Sequence, residues 1–135
     1  MNTLSYAFKL LAKKDYFEKE LRQKLFQKGF SEKDIEETIN YLKKEGYIND
    51  EKLLNRYKEL AIQKGESELK LKSKLFRKGI SNINFSYEEE LESALYLLRN
   101  KFKKEKNYQN IVKFLKNRGF KYSVIQEATA IFLNE

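Results

Sequence analysis

The sequence contains no cysteine and no histidine. Without cysteine there is no disulfide and no thiolate nucleophile, and without both residues there is no Cys/His metal site. Proline is also absent, and the 135 residues include only five glycines. Because the two strong helix breakers are so rare, the composition favours long helices. A chain that needs no oxidising compartment suits the cytosol, and we expect a cytoplasmic protein.

Long apolar runs are missing as well. The N-terminal stretch "MNTLSYAFKLLAKKD" places its apolar residues at helical spacing and is interrupted by Lys9, so we expect no signal peptide. No stretch approaches the roughly 20 apolar residues that a membrane-spanning helix needs. No phosphate loop, nucleophile elbow or calcium loop occurs, and acidic pairs such as Glu36 and Glu37 suit solvated helix surfaces. We therefore expect no enzyme, no metal and no cofactor.

Charge is abundant and has an excess of one sign. The chain has 28 lysines and arginines against 20 acidic residues, a net charge of +8. Residues 50–87 are the most basic part, with nine cations and five anions, a net of +4. A positive field of this kind favours anionic partners, namely nucleic acid, an acidic protein groove or a membrane surface.

The few glycines mark the ends of helices. Each follows a run that is typical of a helix, and four of the five come directly after a lysine or arginine. Glycine adopts the left-handed conformation that often ends a helix, and a cation in the last turn complements the helix dipole. With possible N-caps at Asp15, Ser31, Asn49 or Asp50, Ser86 and Ser123, the sequence predicts helices near 3–14, 17–28, 31–45, 50–64, 67–78, 87–105, 107–118 and 123–133, and no sheet.

A ten-residue segment occurs three times. It reads "LRQKLFQKGF" at 21–30, "LKSKLFRKGI" at 71–80 and "IVKFLKNRGF" at 111–120. The spacing is 50 residues and then 40, so the middle unit has lost most of one helix. We expect an all-α protein of three tandem three-helix repeats, at 1–49, 50–87 and 88–135, in an elongated and curved array, with the third helix of the middle repeat shortened.

The repeated segment has a basic side. In the second copy a helical projection gathers Lys70, Lys74, Arg77 and Lys78, with Leu69, Leu71, Leu75 and Phe76 opposite and Lys72 half-buried between them. One interpretation is a surface that binds phosphates or carboxylates. The other, which composition alone favours, is a solvated helix face whose last cations complement the dipole. The candidate binding residues are Lys70, Lys74, Arg77 and Lys78, with Lys24, Lys28, Lys113, Lys116 and Arg118 as weaker contributors.

Nineteen aromatic residues could serve as platforms for stacked bases. Core packing is the expected role for those at helical apolar spacing, namely Phe8, Tyr41, Tyr57, Phe102 and Phe132. The tyrosines near helix starts are expected to cover the core; these are Tyr16, Tyr47, Tyr87 and Tyr108.

Four stretches together resemble the RecX family of regulators of the RecA recombinase. "AFKLLAKKDYFEKELRQKLFQKGF" (7–30) looks like the opening helix pair, and "IEETINYLKKEGYINDEKLLNRY" (35–57) like the helix that ends in Gly-Tyr before an Asp-Glu start. "KGESELKLKSKLFRKGI" (64–80) is similar to the basic middle segment, and "NIVKFLKNRGFKYSVIQEAT" (110–129) to the closing unit. Two departures are the shortened middle repeat and Phe17, where the family often has a small capping residue.

The resemblance implies a regulatory protein that binds the helical RecA–DNA filament in its groove. It implies inhibition of filament growth, ATP hydrolysis, strand exchange and co-protease activity, with no catalysis by the regulator itself. The expected partners are the RecA filament and single- or double-stranded DNA, and the expected state is a monomer. Two other hypotheses stay open: a nucleic-acid-binding protein that acts without RecA, and a helical scaffold for an acidic protein partner.

Overall fold

The computed structural model describes residues 1–135. Its regular secondary structure consists of α-helices alone. Its eight helices are α1 (Thr3–Leu11), α2 (Glu18–Lys28), α3 (Glu32–Lys44), α4 (Asp50–Gln63), α5 (Glu68–Phe76), α6 (Tyr87–Lys101), α7 (Tyr108–Asn117) and α8 (Tyr122–Leu133). The predicted all-α class is confirmed. No helix combines the length and the apolar composition that crossing a membrane would require. The largest differences from the predicted helix bounds are at the C-terminal ends of two helices. Helix α1 ends at Leu11 rather than at 14, and α6 ends at Lys101 rather than at 105.

Three of the predicted N-caps are confirmed. The Ser31 hydroxyl accepts a hydrogen bond from the Asp34 amide at 3.1 Å, and Asn49 Oδ1 accepts one from the Lys52 amide at 3.1 Å. Ser86 and Glu89 form a reciprocal capping box, with bonds of 3.1 and 2.7 Å. These caps satisfy amides that have no partner inside the helix, and they fix where α3, α4 and α6 begin.

Two predicted N-caps, Asp15 and Ser123, are wrong. Helix α2 begins after Phe17, whose side chain is fully buried and whose amide donates to Glu20 Oε1 at 3.0 Å. Helix α8 begins after Lys121, whose amide donates to Glu90 Oε1 on α6 at 2.9 Å. At α2 the burial of Phe17 and the local bond from its amide to Glu20 set the helix start, and at α8 the tertiary bond to Glu90 does so.

The five glycines all have positive φ, between 76° and 104°, which confirms their predicted role at helix ends. Gly65 has a second constraint. A Cβ placed on it would lie 2.8 Å from Leu97 Cβ, so the end of α4 approaches α6 more closely than a side chain would allow. Gly29 has no such neighbour within 4 Å and needs glycine for its backbone conformation alone.

The chain divides into two compact units, residues 1–55 and residues 56–135. The core of the first is made by α1, α2 and α3, and its fully buried side chains include Ala7, Leu21, Leu25, Ile39 and Leu42. The core of the second lies among α6, α7 and α8, with Ala94, Leu98, Ile111, Leu115 and Val124 at its centre. Each core is therefore that of a three-helix domain.

The repeated segment owes its pattern to these cores. Its first and fifth positions are at most 1% exposed in every copy; they are Leu21 and Leu25, Leu71 and Leu75, and Ile111 and Leu115. Two positions four apart lie one above the other on a helix, so the pair faces inward and the polar positions face solvent. Packing of this apolar pair explains why the same ten residues recur.

The middle repeat lacks a regular third helix, as predicted. No helix forms between Phe76 and Tyr87, yet Ile83 and Phe85 in this stretch are buried. The Phe85 amide donates to Glu68 Oε1 at 2.7 Å. The shortened segment thus keeps its apolar contacts without helical geometry. The repeat boundaries at 49/50 and 87/88 and the curved arrangement stay predictions.

Glu68 ties this segment to α5 and α8. Its side chain is 11% exposed, and its carboxylate also contacts Lys121 Nζ at 3.2 Å and Lys72 Nζ at 3.4 Å. Burial raises the pKa of Glu68, but the hydrogen bond from the Phe85 amide and the contact with Lys121 outweigh it and hold the pKa below its ordinary value. The ionised form of Glu68 therefore stabilises the fold.

Substitution Glu68→Gln tests this stabilisation. A group whose pKa is lower in the folded state stabilises above its unfolded pKa and loses that effect as the pH falls through the folded pKa. We expect the variant to lose about 1.5–3 kcal/mol of unfolding free energy at pH 7, with the difference from wild type shrinking below about pH 4. Urea unfolding across this pH range measures it. The exposed Glu92→Gln on α6 is the control, and a Glu68 variant as stable as that control would contradict the account.

Candidate functional site

The basic side of the second segment contains an acid that the sequence analysis overlooked. Lys74 Nζ lies 2.6 Å from Glu66 Oε2, and Lys70 Nζ lies 3.8 Å from the same oxygen. The Glu66 side chain is only 10% exposed. Two of the predicted binding residues thus share one carboxylate, and the spacing of four residues between Glu66 and Lys70 was the signal that could have shown it.

The other cations of this segment differ in exposure. Arg77 is exposed just beyond the end of α5, whereas Lys78 is half-buried. Lys72 is half-buried as predicted, and its ammonium reaches Glu68 rather than open solvent. Arg77 is therefore the cation of the predicted group that is best placed to meet an external anion.

Phe76 was predicted to face the core, and this is wrong. It is 76% exposed, and Phe26 at the same position of the first segment is 72% exposed. With positions one and five turned inward, position six lies roughly 100° further around the helix and points away from the core. Leu69, also predicted on the apolar side, is 58% exposed for the same reason. In the third segment Lys116 occupies this outward position.

In the first segment the two predicted cations remain at the surface. Lys24 and Lys28 are both exposed, and Lys28 Nζ lies 5.2 Å from the centre of the Tyr6 ring. Arg22 nearby is held by two carboxylates, with its Nη1 2.5 Å from Glu36 Oε2 and its Nε 3.1 Å from Glu18 Oε2. The hydrogen bond with Glu36 is the first reason that the pKa of Arg22 is raised. The charge of Arg22 is thus used in ion pairs within the first unit.

The third segment contributes to an open cavity of about 240 Å³, which we call the α6–α7 cavity. Its lining contains five cations, two asparagines and one aromatic ring, and no carboxylate. These residues are Lys101, Lys103, Lys104, Asn110, Lys113, Phe114, Asn117 and Arg118. Of the predicted residues, Lys113 and Arg118 meet here and Lys116 does not. The sequence missed Lys101, Lys103 and Lys104, because a helix continued to 105 would have placed them around its surface.

The early end of α6 creates this cavity. After Lys101 the backbone becomes extended at Phe102, whose ring packs edge-on against Phe114 and Phe132 at 5.2 and 5.8 Å between centroids. Asn110 then fixes the connecting loop, since its Nδ2 donates to the Glu105 carbonyl at 3.0 Å and its amide donates to Asn107 Oδ1 at 2.9 Å. Lys103 and Lys104 therefore lie on a loop whose conformation is fixed by these hydrogen bonds.

Arg118 closes one side of the α6–α7 cavity. Its guanidinium carbon lies 3.6 Å from the centre of the Phe114 ring, and its Nη1 donates to the Phe114 carbonyl at 3.1 Å. This cation–π contact holds the charged group over the ring and restrains the Arg118 side chain. Arg118 thus presents a restrained positive charge to the cavity.

The predictions for the aromatic residues are confirmed in part. Phe8, Tyr57, Phe102 and Phe132 are half-buried as expected, but Tyr41 is 44% exposed. Among the tyrosines near helix starts, Tyr16 is buried as expected, and Tyr47 packs edge-on against Phe8 at 4.9 Å but is 53% exposed. Tyr87 and Tyr108 are 39% and 56% exposed, so only Tyr16 of these four is buried.

Comparisons with known proteins identify the family. The model of the first three-helix domain of RecX matches residues 4–42. A regulatory protein RecX from Pasteurella multocida is 32% identical over 131 residues, which cover 87% of this chain and 80% of that protein. A regulatory protein RecX from Vibrio vulnificus is 29% identical over 139 residues, 95% of this chain and 91% of that protein.

Solved structures agree on the fold. The crystal structure of RecX from Lactobacillus salivarius superposes with a TM-score of 0.73 at 20% identity and covers 93% of this chain and 91% of that chain. A second crystal structure, of a regulatory protein RecX, gives a TM-score of 0.73 at 22% identity and covers 95% of this chain and 71% of that chain. With the three-helix cores and the repeated segment described above, these similarities show that the chain belongs to the RecX family.

Proposed function

We propose that this protein binds the RecA–DNA filament and inhibits its growth, ATP hydrolysis, strand exchange and co-protease activity. The observation that carries the proposal is membership of the RecX family over nearly the whole chain, with relatives that are named regulatory proteins. The protein acts by occupying a surface of the filament, not by chemistry of its own. It meets its partner in the cytoplasm as a monomer.

The net charge of +8 supports an encounter with an acidic partner. Complementary charge mainly speeds association and sets orientation, and it adds less to the final affinity. The residues proposed for this role are Lys70, Lys74, Arg77, Lys78, Lys24, Lys28, Lys113, Lys116 and Arg118. Arg77 leads this group, because Lys70 and Lys74 are partly neutralised by Glu66.

The two outward phenylalanines supply the apolar contacts. A single exposed apolar residue needs no explanation, but Phe26 and Phe76 occupy the same position in two copies of one segment. Each is followed within two residues by a cation, Lys28 or Arg77. An aromatic residue that fills a pocket while nearby charges contact an acidic rim is the usual form of an energetic hot spot.

A RecA ATPase assay on single-stranded DNA tests the proposal. We expect the wild-type protein to inhibit at less than one molecule per RecA monomer, and the variant Lys70→Gln/Lys74→Gln/Arg77→Gln to inhibit more weakly. Glutamine is chosen rather than glutamate because three new carboxylates beside Glu66 would destabilise the helix. A matched control removes three exposed lysines of the first unit, Lys9, Lys33 and Lys44, in the same way.

Repeating the assay at several salt concentrations separates the alternatives. Inhibition that appears only when the protein is abundant enough to coat the DNA would support a nucleic-acid-binding protein that acts without RecA. No inhibition at any ratio would contradict the proposal and favour a scaffold for another acidic partner. Equal inhibition by the triple variant and wild type would overturn the assignment of these cations.

Substitution Phe76→Ser tests the apolar anchor. If Phe76 fills a pocket on RecA, its loss removes about 2 kcal/mol of binding free energy, and the concentration for half-maximal ATPase inhibition rises about 30-fold. Because the side chain is exposed, the thermal unfolding midpoint should stay within a few degrees of wild type.

The matched control is Leu60→Ser, which removes an exposed apolar residue from α4 in the same unit. We expect this variant to inhibit like wild type. If Phe76→Ser and Leu60→Ser have the same effect, Phe76 is not an anchor for the partner.

A further inference from the structure

The α6–α7 cavity, the five-cation surface between the end of α6 and α7, points to a ligand. We propose that it binds the phosphodiester backbone of single-stranded nucleic acid. This inference deepens the proposed function and rests on it for its setting, since a regulator of a RecA–DNA filament meets single strands. The geometry assigns the contact to a place that includes three lysines outside the predicted group: Lys101, Lys103 and Lys104.

The cavity holds more positive charge than the fold itself can use. The last residues of α6 and α7, Lys101 and Asn117, line the cavity, and each helix C-terminus is equivalent to roughly −0.5 charge. Glu105 in the connecting loop adds one further negative charge, although it does not line the cavity. Set against five cations, these leave an excess of about three positive charges. Complementing the helix dipoles therefore accounts for only part of the cluster.

This excess is available to a ligand. The lining of the cavity contains no carboxylate, and Lys101, Lys103, Lys104 and Lys113 are all exposed. The second repeated segment is different, because Lys70 and Lys74 lie beside the largely buried carboxylate of Glu66. Neutralising phosphates releases their condensed counterions, and the gain is largest for cations that have no internal partner.

A polyanion suits the cavity better than a small anion does. A lone phosphate is usually held by converging backbone N–H groups at a helix N-terminus. Here Lys101 and Asn117 lie at the C-terminal ends of α6 and α7, and the backbone amide of Asn110, in the first turn of α7, already donates to Asn107 Oδ1. The donors in the lining are therefore side chains, namely exposed lysines, Arg118 and two asparagines. Such a site attracts negative charge over a distance but does not tightly enclose a single phosphate group. That is the character of binding to a charged strand.

Arg118 adds a reason to favour single strands over duplex. Its guanidinium carbon lies over the Phe114 ring, 3.6 Å from the ring centre, and Arg118 lines the cavity. Unpaired bases stack on aromatic rings and on arginine planes, whereas the bases of a duplex are already stacked on each other. A single strand can therefore place a base on Arg118 while its phosphates contact the lysines.

The test measures binding of a fluorescein-labelled oligo(dT) by anisotropy between 50 and 200 mM salt, in the absence of RecA. The cavity variant is Lys103→Gln/Lys104→Gln/Lys113→Gln, and the control variant is Lys9→Gln/Lys33→Gln/Lys44→Gln. Both lower the net charge by three through exposed lysines, and thermal unfolding checks that both are folded. For single strands each phosphate contact contributes about 0.7 to the slope of log affinity against log salt. We expect the cavity variant to lose about 2 from this slope and to bind at least about tenfold more weakly at 50 mM salt.

The control variant should change the slope by less than 1. Equal changes in both variants would overturn the inference, because they would show a general effect of net charge. An unchanged slope in the cavity variant would overturn it as well. Duplex DNA that binds as tightly as oligo(dT) would overturn the assignment to single strands.

Inorganic pyrophosphate distinguishes a strand from a small phosphate ligand. At constant ionic strength it should not displace oligo(dT) more than sulfate does. Displacement at micromolar pyrophosphate would overturn the proposal in favour of a small-anion site. Because this assay contains no RecA, its outcome is separate from that of the ATPase assay, so either proposal can fail while the other holds.

Discussion

The burial of two apolar side chains one helical turn apart is the contact on which the rest of the structure depends. In every copy of the repeated segment the first and fifth residues are at most 1% exposed. Their packing fixes the rotation of α2, α5 and α7, and so decides which side chains face solvent. The exposed phenylalanines of the first two segments and the exposed lysine of the third follow from this rotation. A surface with candidate binding residues is thus a direct consequence of how the core is packed.

Electrostatics then separates the cations of the chain into two groups. Some lie beside carboxylates of the same chain, as Lys70 and Lys74 do beside Glu66 and Arg22 beside Glu36. All of these pairs reduce the charge available to a partner, and one with much exposed area, such as Arg22 with Glu36, stabilises the fold by only a fraction of a kcal/mol. Others lie in the α6–α7 cavity, whose lining has no acid. The position of the acids, more than the number of cations, distinguishes candidate binding surfaces from structural ones.

Much of the fold could be predicted from local signals. The glycines, the polar caps at Ser31 and Ser86 and the helical periodicity gave all eight helices, because each signal acts within one turn of the chain. The errors lie where a distant contact decides. Burial of Phe17 and the bond from Lys121 to Glu90 set two helix starts, and the packing of Phe102 against Phe114 and Phe132 ended α6 early. That early end brings Lys101, Lys103 and Lys104 to the cavity, so the same error concealed the candidate site.

The inward rotation of the repeated segment can be measured directly, because the chain has no cysteine of its own. The variants Leu75→Cys and Phe76→Cys each place a single thiol at one of two adjacent positions. The native Leu75 side chain is 1% exposed, and the native Phe76 side chain is 76% exposed. A buried thiol reacts only when the structure opens, and each 1.4 kcal/mol of opening free energy slows labelling about tenfold. With maleimide at pH 7 the account predicts labelling at least about a hundredfold slower at position 75 than at position 76. Equal rates at the two positions in folded protein would contradict it.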